Sequence, residues 1–117
     1  MITFKINITP KPAPRPRVSQ YGRVYMPNDY KEYVKEIQEQ VTSQLSICSN
    51  EFVGLDITFY KNRNPRHKIF GDIDNLLKGV MDALIGLAYF DDGQVLEVHA
   101  KKVQSDQEGI QVSIFNL

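Results

Sequence analysis

Proline stands at every second position of Pro10-Lys11-Pro12-Ala13-Pro14-Arg15-Pro16-Arg17. No chain winds a helix through such a run or sets it in the middle of a sheet, because alternate N–H donors are missing and φ is fixed. The segment reads as an extended, polyproline-type arm over 10–17 that carries Lys11, Arg15 and Arg17 with no acid among them. Three cations on an extended arm suit contact with phosphates; the plainer reading is a surface linker. The core has to come from the segments on either side.

Those segments show clear periodicities. Ile2, Phe4, Ile6 and Ile8 alternate with polar residues, which predicts a half-buried strand. Val18 to Met26 reads as a short hairpin around Tyr21-Gly22, with Arg23 adding a cation. Tyr21 and Tyr25 have the chemistry to stack on bases, although aromatic side chains in hairpins are more often packing partners. Asn28 is the expected N-cap of a helix of about 20 residues, whose apolar stripe runs Tyr30, Tyr33, Val34, Ile37, Val41, Leu45 and Cys48. Val53, Leu55, Ile57 and Phe59 mark a second strand, which opens into a basic loop over 61–68. Leu76, Leu77, Val80, Met81, Leu84, Ile85 and Ala88 fall at helical spacing. Leu96, Val98 and Ala100 mark a third long strand, and Ile110, Val112 and Ile114 an antiparallel returning one. The order predicts an α+β fold, a single domain over 1–117 with a mixed sheet and two main helices.

At 117 residues the chain suffices for one hydrophobic core. It holds no apolar run of the roughly 20 residues a membrane span requires. Its alternating start is unlike a signal peptide, and its single cysteine, Cys48, allows no internal disulfide. These features fit the cytoplasm and no membrane partner. Net charge is zero, yet residues 1–70 hold eleven Lys/Arg against six Asp/Glu, a net of +5, and residues 71–117 hold three against eight, a net of −5. Such asymmetry points towards a polyanionic partner. Lys61, Arg63, Arg66 and Lys68 of the basic loop join Lys11, Arg15, Arg17 and Arg23 as candidates for holding a phosphate backbone.

The acids lie just beyond that loop. Asp72 and Asp74 flank Ile73 immediately before the second helical stripe, and Asp91-Asp92 follow it. One Asp at a helix start is an ordinary cap, and Lys78 between Asp74 and Asp82 is spaced for an ion-pair ladder. A cap employs one carboxylate, however, and a cluster of them repels itself unless a cation neutralises it. Hard oxygen donors suit Mg²⁺, with Mn²⁺ as a substitute. The residues alone leave the metal site and the cap-plus-surface reading open.

Taken together, Gly71-Asp72-Ile73-Asp74-Asn75-Leu76-Leu77-Lys78, Met81-Asp82-Ala83-Leu84 and Asp91-Asp92-Gly93-Gln94-Val95 resemble the RusA family of Holliday-junction resolvases. The resemblance is specific over about residues 70–102, and the Pro/Arg-rich arm looks like that of phage or prophage members. It implies that Asp72, Asp74 and Asp92 are catalytic, metal-binding carboxylates. It further implies that Asp91 is their acidic neighbour and a second candidate ligand, and that Lys78 is the catalytic lysine. The implied activity is a Mg²⁺-dependent crossover junction endodeoxyribonuclease, a homodimer that nicks two strands of a four-way DNA junction symmetrically in recombination and repair. Two other classes compete: a non-catalytic nucleic-acid-binding protein, and a small metal-dependent phosphohydrolase acting on nucleotides.

Overall fold

Strand β1 (Ile2–Ile6) ends where the prolines approach: Ile8 N–H turns back onto the Ile6 carbonyl at 3.1 Å. The structure is a computed structural model that describes residues 1–14, 17–45 and 48–117, with Arg17 described in its backbone alone. Two short strands, β2 (Arg17–Val18) and β3 (Val24–Tyr25), pair as a separate antiparallel ribbon. Helix α1 (Asn28–Gln44) follows, then strand β4 (Val53–Lys61), helix α2 (Ile73–Leu84), strand β5 (Val95–Gln104) and strand β6 (Gly109–Asn116). The mixed sheet with two helices is the predicted α+β architecture.

Sheet order is β1-β6-β4-β5. Strand β4 pairs in parallel with β5, the connection running through α2, as parallel neighbours require a crossover. The last strand does not fold back onto β5. It inserts between β1 and β4, antiparallel to both. Alternation fixed which face each residue takes, but not which strands lie side by side.

The registers align one apolar row across the sheet. Phe4 faces Val112, Val112 faces Ile57, and Ile57 faces Ala100. Ile6, Ile110, Phe59 and Lys102 form the next row. Tyr30, Tyr33, Ile37 and Val41 of α1 and Leu76, Val80, Ala83 and Leu84 of α2 complete the core over this face. Each fully buried aliphatic residue of this kind contributes about 1.5–3 kcal/mol. The opposite face presents Lys5, Asp56, His99 and Lys101 to solvent, although Gly54 and Thr58 of the central strand β4 are buried there.

Two expectations for α1 are corrected. Pro27, with ψ 145°, occupies the N-cap position and Asn28 is already helical. The helix stops at Gln44, where Leu45 turns extended with its N–H on the Val41 carbonyl at 2.8 Å. Cys48 therefore lies beyond the helix, half-buried, and not on its stripe. The two helices meet closely at Gly79, where a Cβ would stand 3.2 Å from the Tyr33 ring.

Candidate active site

The inner-face row that ends in Phe59 and Lys102 continues past the apolar residues, and at its margin two lysines replace hydrocarbon. Lys61 Nζ donates to the Pro10 carbonyl at 3.0 Å and to the Ile69 carbonyl at 2.8 Å. Lys102 Nζ lies over the Phe70 ring, 5.3 Å from its centroid, and donates to the Gly71 carbonyl at 2.9 Å. Both cations thus pin the segment 69–71 that delivers the chain to α2. Lys61 is 9 % exposed, and its burial pulls the ammonium below its usual pKa. Its place among the phosphate-binding candidates is corrected: its donors are turned inward onto carbonyls.

The proline arm is laid along the protein through Pro14. Lys11 N–H donates to the Tyr33 hydroxyl at 3.1 Å, and Ala13 N–H to the Asn75 carbonyl in the first turn of α2 at 2.9 Å. Pro12 sits against Gly71, where φ is +99° and a Cβ would approach the proline ring at 3.0 Å. Glycine is needed there for both reasons. Lys11 remains exposed, its ammonium 5.9 Å from the Tyr33 ring centroid. Arg15 lies outside the described residues, and so does the side chain of Arg17.

Asp72 caps α2 by position, with extended backbone (φ −76°, ψ 145°), yet makes no side-chain cap hydrogen bond. Its carboxylate is exposed. Asp74, also exposed, accepts one bond from Asn75 N–H at 2.9 Å. Two carboxylates with free oxygens thus stand at the positive end of the α2 dipole, where negative charge is favoured. Among the described residues no Lys or Arg pairs with either. Lys78 Nζ lies 3.3 Å from Asp82, one rung of the expected ladder. Lys78 is exposed and Asp82 half-buried at the surface, so this pair holds the ammonium weakly. Asp82 also lies 3.5 Å from the Tyr30 hydroxyl. Burial first, then the Asp82 charge, push Tyr30 up to about 12.

The second acidic pair is built as a tight turn. Gln94 Oε1 accepts from Phe90 and Asp91 N–H at 2.8 and 3.0 Å, and Gln94 Nε2 donates to the Ser49 and Glu51 carbonyls, each at 2.9 Å. This glutamine fastens the single 3-10 turn Asp92–Gln94 to the chain entering β4. The Asp91 side chain curls over its own turn, with Oδ2 3.1 Å from where a Cβ of Gly93 would stand. Asp92 is exposed and carries no such engagement among the described residues. Its charge acts on buried Tyr89, whose hydroxyl donates to the Met81 carbonyl at 3.1 Å and is held up mainly by burial.

Asp92 comes just before the start of β5, whereas Lys102 near the end of that strand is what reaches Gly71 beside Asp72, and Tyr89, shortly before Asp92, bonds α2 at Met81. Met81 lies seven residues beyond Asp74, on the order of 10 Å along the axis. Among the described residues no three His, Cys, Asp or Glu side chains close on one point that could hold a metal ion. Asp72 and Asp74 are near neighbours in the chain at the start of α2, and Asp92 is not closed upon them within one chain.

The basic loop is wound, not loose. Successive turns bond His67 N–H to Asn64, Phe70 N–H to His67 and Gly71 N–H to Lys68 carbonyls at 2.8–3.1 Å. Arg63, Arg66 and Lys68 remain exposed on it, next to the acidic pair in sequence. Arg23, also exposed, sits in the β2–β3 ribbon. Two supporting residues had no sequence signal: Lys102, an ordinary strand lysine, and Glu108, which accepts from Asn62 N–H and the Thr9 hydroxyl at 2.8 Å each. Among the described residues no helix is long and apolar enough to cross a membrane.

The family model for endodeoxyribonuclease RusA matches residues 7–115. The chain is also similar to the uncharacterized protein YqaN of Bacillus subtilis (strain 168), with 28% identity over 136 aligned positions that cover 97% of this chain and 94% of that protein. With the family match spanning the arm, both helices and the strands between them, the chain belongs to the RusA family of endodeoxyribonucleases.

Proposed function

We propose that this protein is a metal-dependent, structure-selective endonuclease that resolves four-way DNA junctions by paired symmetric nicks. One observation carries the reading: Asp72 and Asp74 are two exposed carboxylates fixed at a helix start, with Asp72 free of the capping bond its position would ordinarily make. They lie directly after a wound loop that presents Arg63, Arg66 and Lys68.

The donor set fits a hard divalent ion, being carboxylate oxygen without sulfur or imidazole beside it. Mg²⁺ keeps several waters and binds through one or two carboxylates plus substrate phosphate instead of an all-protein cage, which suits a pair that is not closed by a third ligand. Mn²⁺ shares that preference. When bound, such an ion supplies an activated water and neutralises charge at the phosphorus. Asp72 and Asp74 would hold it; Asp92, in preference to Asp91, whose side chain is folded over its turn, would be the third carboxylate only across the proposed homodimer, since within one chain it is not closed upon the pair. Lys78 leaves its weakly held partner Asp82 for the scissile phosphate and stabilises the charge developing there. Lys11, Arg23, Arg63, Arg66 and Lys68, with Arg15 and Arg17, hold the DNA backbone without reading its sequence. A homodimer places one site on each of two equivalent strands.

The test is a synthetic four-way junction incubated with the protein in Mg²⁺ or in EDTA. Paired nicks in Mg²⁺ alone support the proposal. Binding without cleavage in both Mg²⁺ and Mn²⁺ would make the protein a binding module. Asp74→Asn is expected to abolish nicking and keep junction binding in Ca²⁺; nicking at the wild-type rate by that variant would remove the acidic pair from the site.

A further inference from the structure

The β2–β3 ribbon is the part of the molecule the core does not use. Val18 and Val24 pair across it and are 65 % and 69 % exposed, and Tyr21 at its tip is 83 % exposed. Tyr25 is also exposed. These aromatic and aliphatic side chains are therefore not packing partners for the core. An isolated two-stranded hairpin with uncovered apolar side chains is marginal in water and gains from a partner.

The tip is nevertheless firmly built. Gly22 N–H donates to the Ser19 carbonyl at 2.9 Å, and Ser19 N–H to the Arg23 carbonyl at 2.7 Å. Ser19 Oγ accepts from Tyr21 and Arg23 N–H at 3.3 and 3.1 Å. Gly22 adopts φ +78°, so the three-residue loop closes as a tight turn with a left-handed last residue. The Tyr21 ring is thus held out from the body on a braced support, which lowers the ordering cost of binding.

Charge and position identify the partner. From residue 6 to residue 28 the sequence has no Asp or Glu, and it carries Lys11, Arg15, Arg17 and Arg23. Ala13 is fastened to the first turn of α2 beside the acidic pair, and Val18 follows five residues later, at most about 18 Å of chain. A cationic ribbon with an exposed aromatic tip, tethered next to a phosphodiester-cutting site, matches nucleic acid with accessible base faces. Intact duplex offers few of these, whereas a branch point offers them where stacking is interrupted.

We propose that the β2–β3 ribbon enters the branch point of the DNA, with Tyr21 stacking on a base exposed at the crossover and Arg23 on the adjoining phosphate. The ribbon would thereby supply selectivity for branched over linear DNA, and this assignment rests on the junction-nuclease reading above. The sequence contains no tryptophan, so Tyr21→Trp introduces a single fluorophore at the tip. In Ca²⁺, Tyr21→Trp emission is expected to fall by about half on a saturating four-way junction and to change little on duplex of equal length. Tyr21→Ala is expected to lower junction affinity about tenfold and leave duplex affinity within about twofold, with Tyr21→Phe retaining the wild-type preference. Equal quenching by both DNAs, or a Tyr21→Ala variant with wild-type junction preference, overturns the ribbon's role while wild-type junction nicking still stands. A wild-type protein that neither binds nor nicks junctions overturns both readings. Emission that shifts to the blue with rising protein concentration, in the absence of DNA, assigns the ribbon to a second copy of the chain and overturns the proposal.

Discussion

Lys102 Nζ reaches from the inner face of β5 to the Gly71 carbonyl at 2.9 Å, one residue before Asp72. The strand that forms the edge of the sheet thereby fixes the start of the helix that carries the acidic pair. A hydrogen bond from a charged donor contributes about 1.5–3 kcal/mol. Lys102→Met keeps the apolar stem over Phe70 and removes that bond. Nicking of a four-way junction is expected to fall about tenfold, with the melting temperature lowered by about 5 °C. Single-turnover nicking at saturating Mg²⁺ checks it, and an unchanged rate would deny Lys102 a positioning role.

Lys61 separates two readings of one basic loop. It bonds the Pro10 and Ile69 carbonyls from a buried position, whereas Arg63, Arg66 and Lys68 stand in solvent. Lys61→Met strands two carbonyls and is expected to cost about 1–3 kcal/mol in urea unfolding. Its junction affinity should keep the wild-type dependence on salt. Arg66→Ala should do the reverse, reducing the salt slope by about one without loss of stability. A shallower slope in Lys61→Met would return that lysine to the DNA interface.

The contrast between these lysines shows where sequence reading succeeds and where it stops. Ile2–Ile6 was legible because one-sided burial forces alternation, and Val53–Phe59 because its large apolar residues alternate even though Gly54 and Thr58 between them are buried too. Asp72 and Asp74 were legible because their separation and their place before an amphipathic helix are local facts. Lys61 was not, since a lysine is mostly exposed and only the fold brings two carbonyls, from 51 and 8 residues away, onto its ammonium. The Tyr30–Asp82 contact spans 52 residues and left no periodic trace. The insertion of β6 between β1 and β4 was hidden for the same reason: alternation records a face, never a neighbour. The motif groups Asp92 with the first pair, and within one chain no third such side chain closes on that pair among the described residues.

Glu108 makes stability depend on acidity. Its carboxylate is held below the usual glutamate pKa, first by Asn62 N–H and then by the Thr9 hydroxyl, joining the strand β1 exit to the entry of the basic loop. A carboxyl with a depressed folded-state pKa contributes stability that is complete above its unfolded value and disappears as pH falls through the folded one. The wild-type protein is therefore expected to lose stability to Glu108→Gln at pH 7 and to approach that variant below about pH 4. Urea midpoints for both proteins across pH 3–7 measure it. Parallel curves over that range would show the carboxylate to be unengaged.

Asp91 and Asp92 differ in what their side chains are free to do. Asp91 curls over the turn that Gln94 fastens to the Ser49 and Glu51 carbonyls, and Asp92 points to solvent. Asp92→Asn is expected to reduce Mg²⁺-dependent nicking by at least about a hundredfold, as loss of a carboxylate to a catalytic ion does, with no change in melting temperature. Asp91→Asn is expected to lower nicking less than tenfold and to leave the melting temperature near the wild-type value, since asparagine serves a turn of this kind as well as aspartate does. Raising Mg²⁺ should partly restore Asp92→Asn and leave Asp91→Asn where it was. The reverse pattern, with Asp91→Asn inactive and rescued by the ion, would assign the ligand to Asp91.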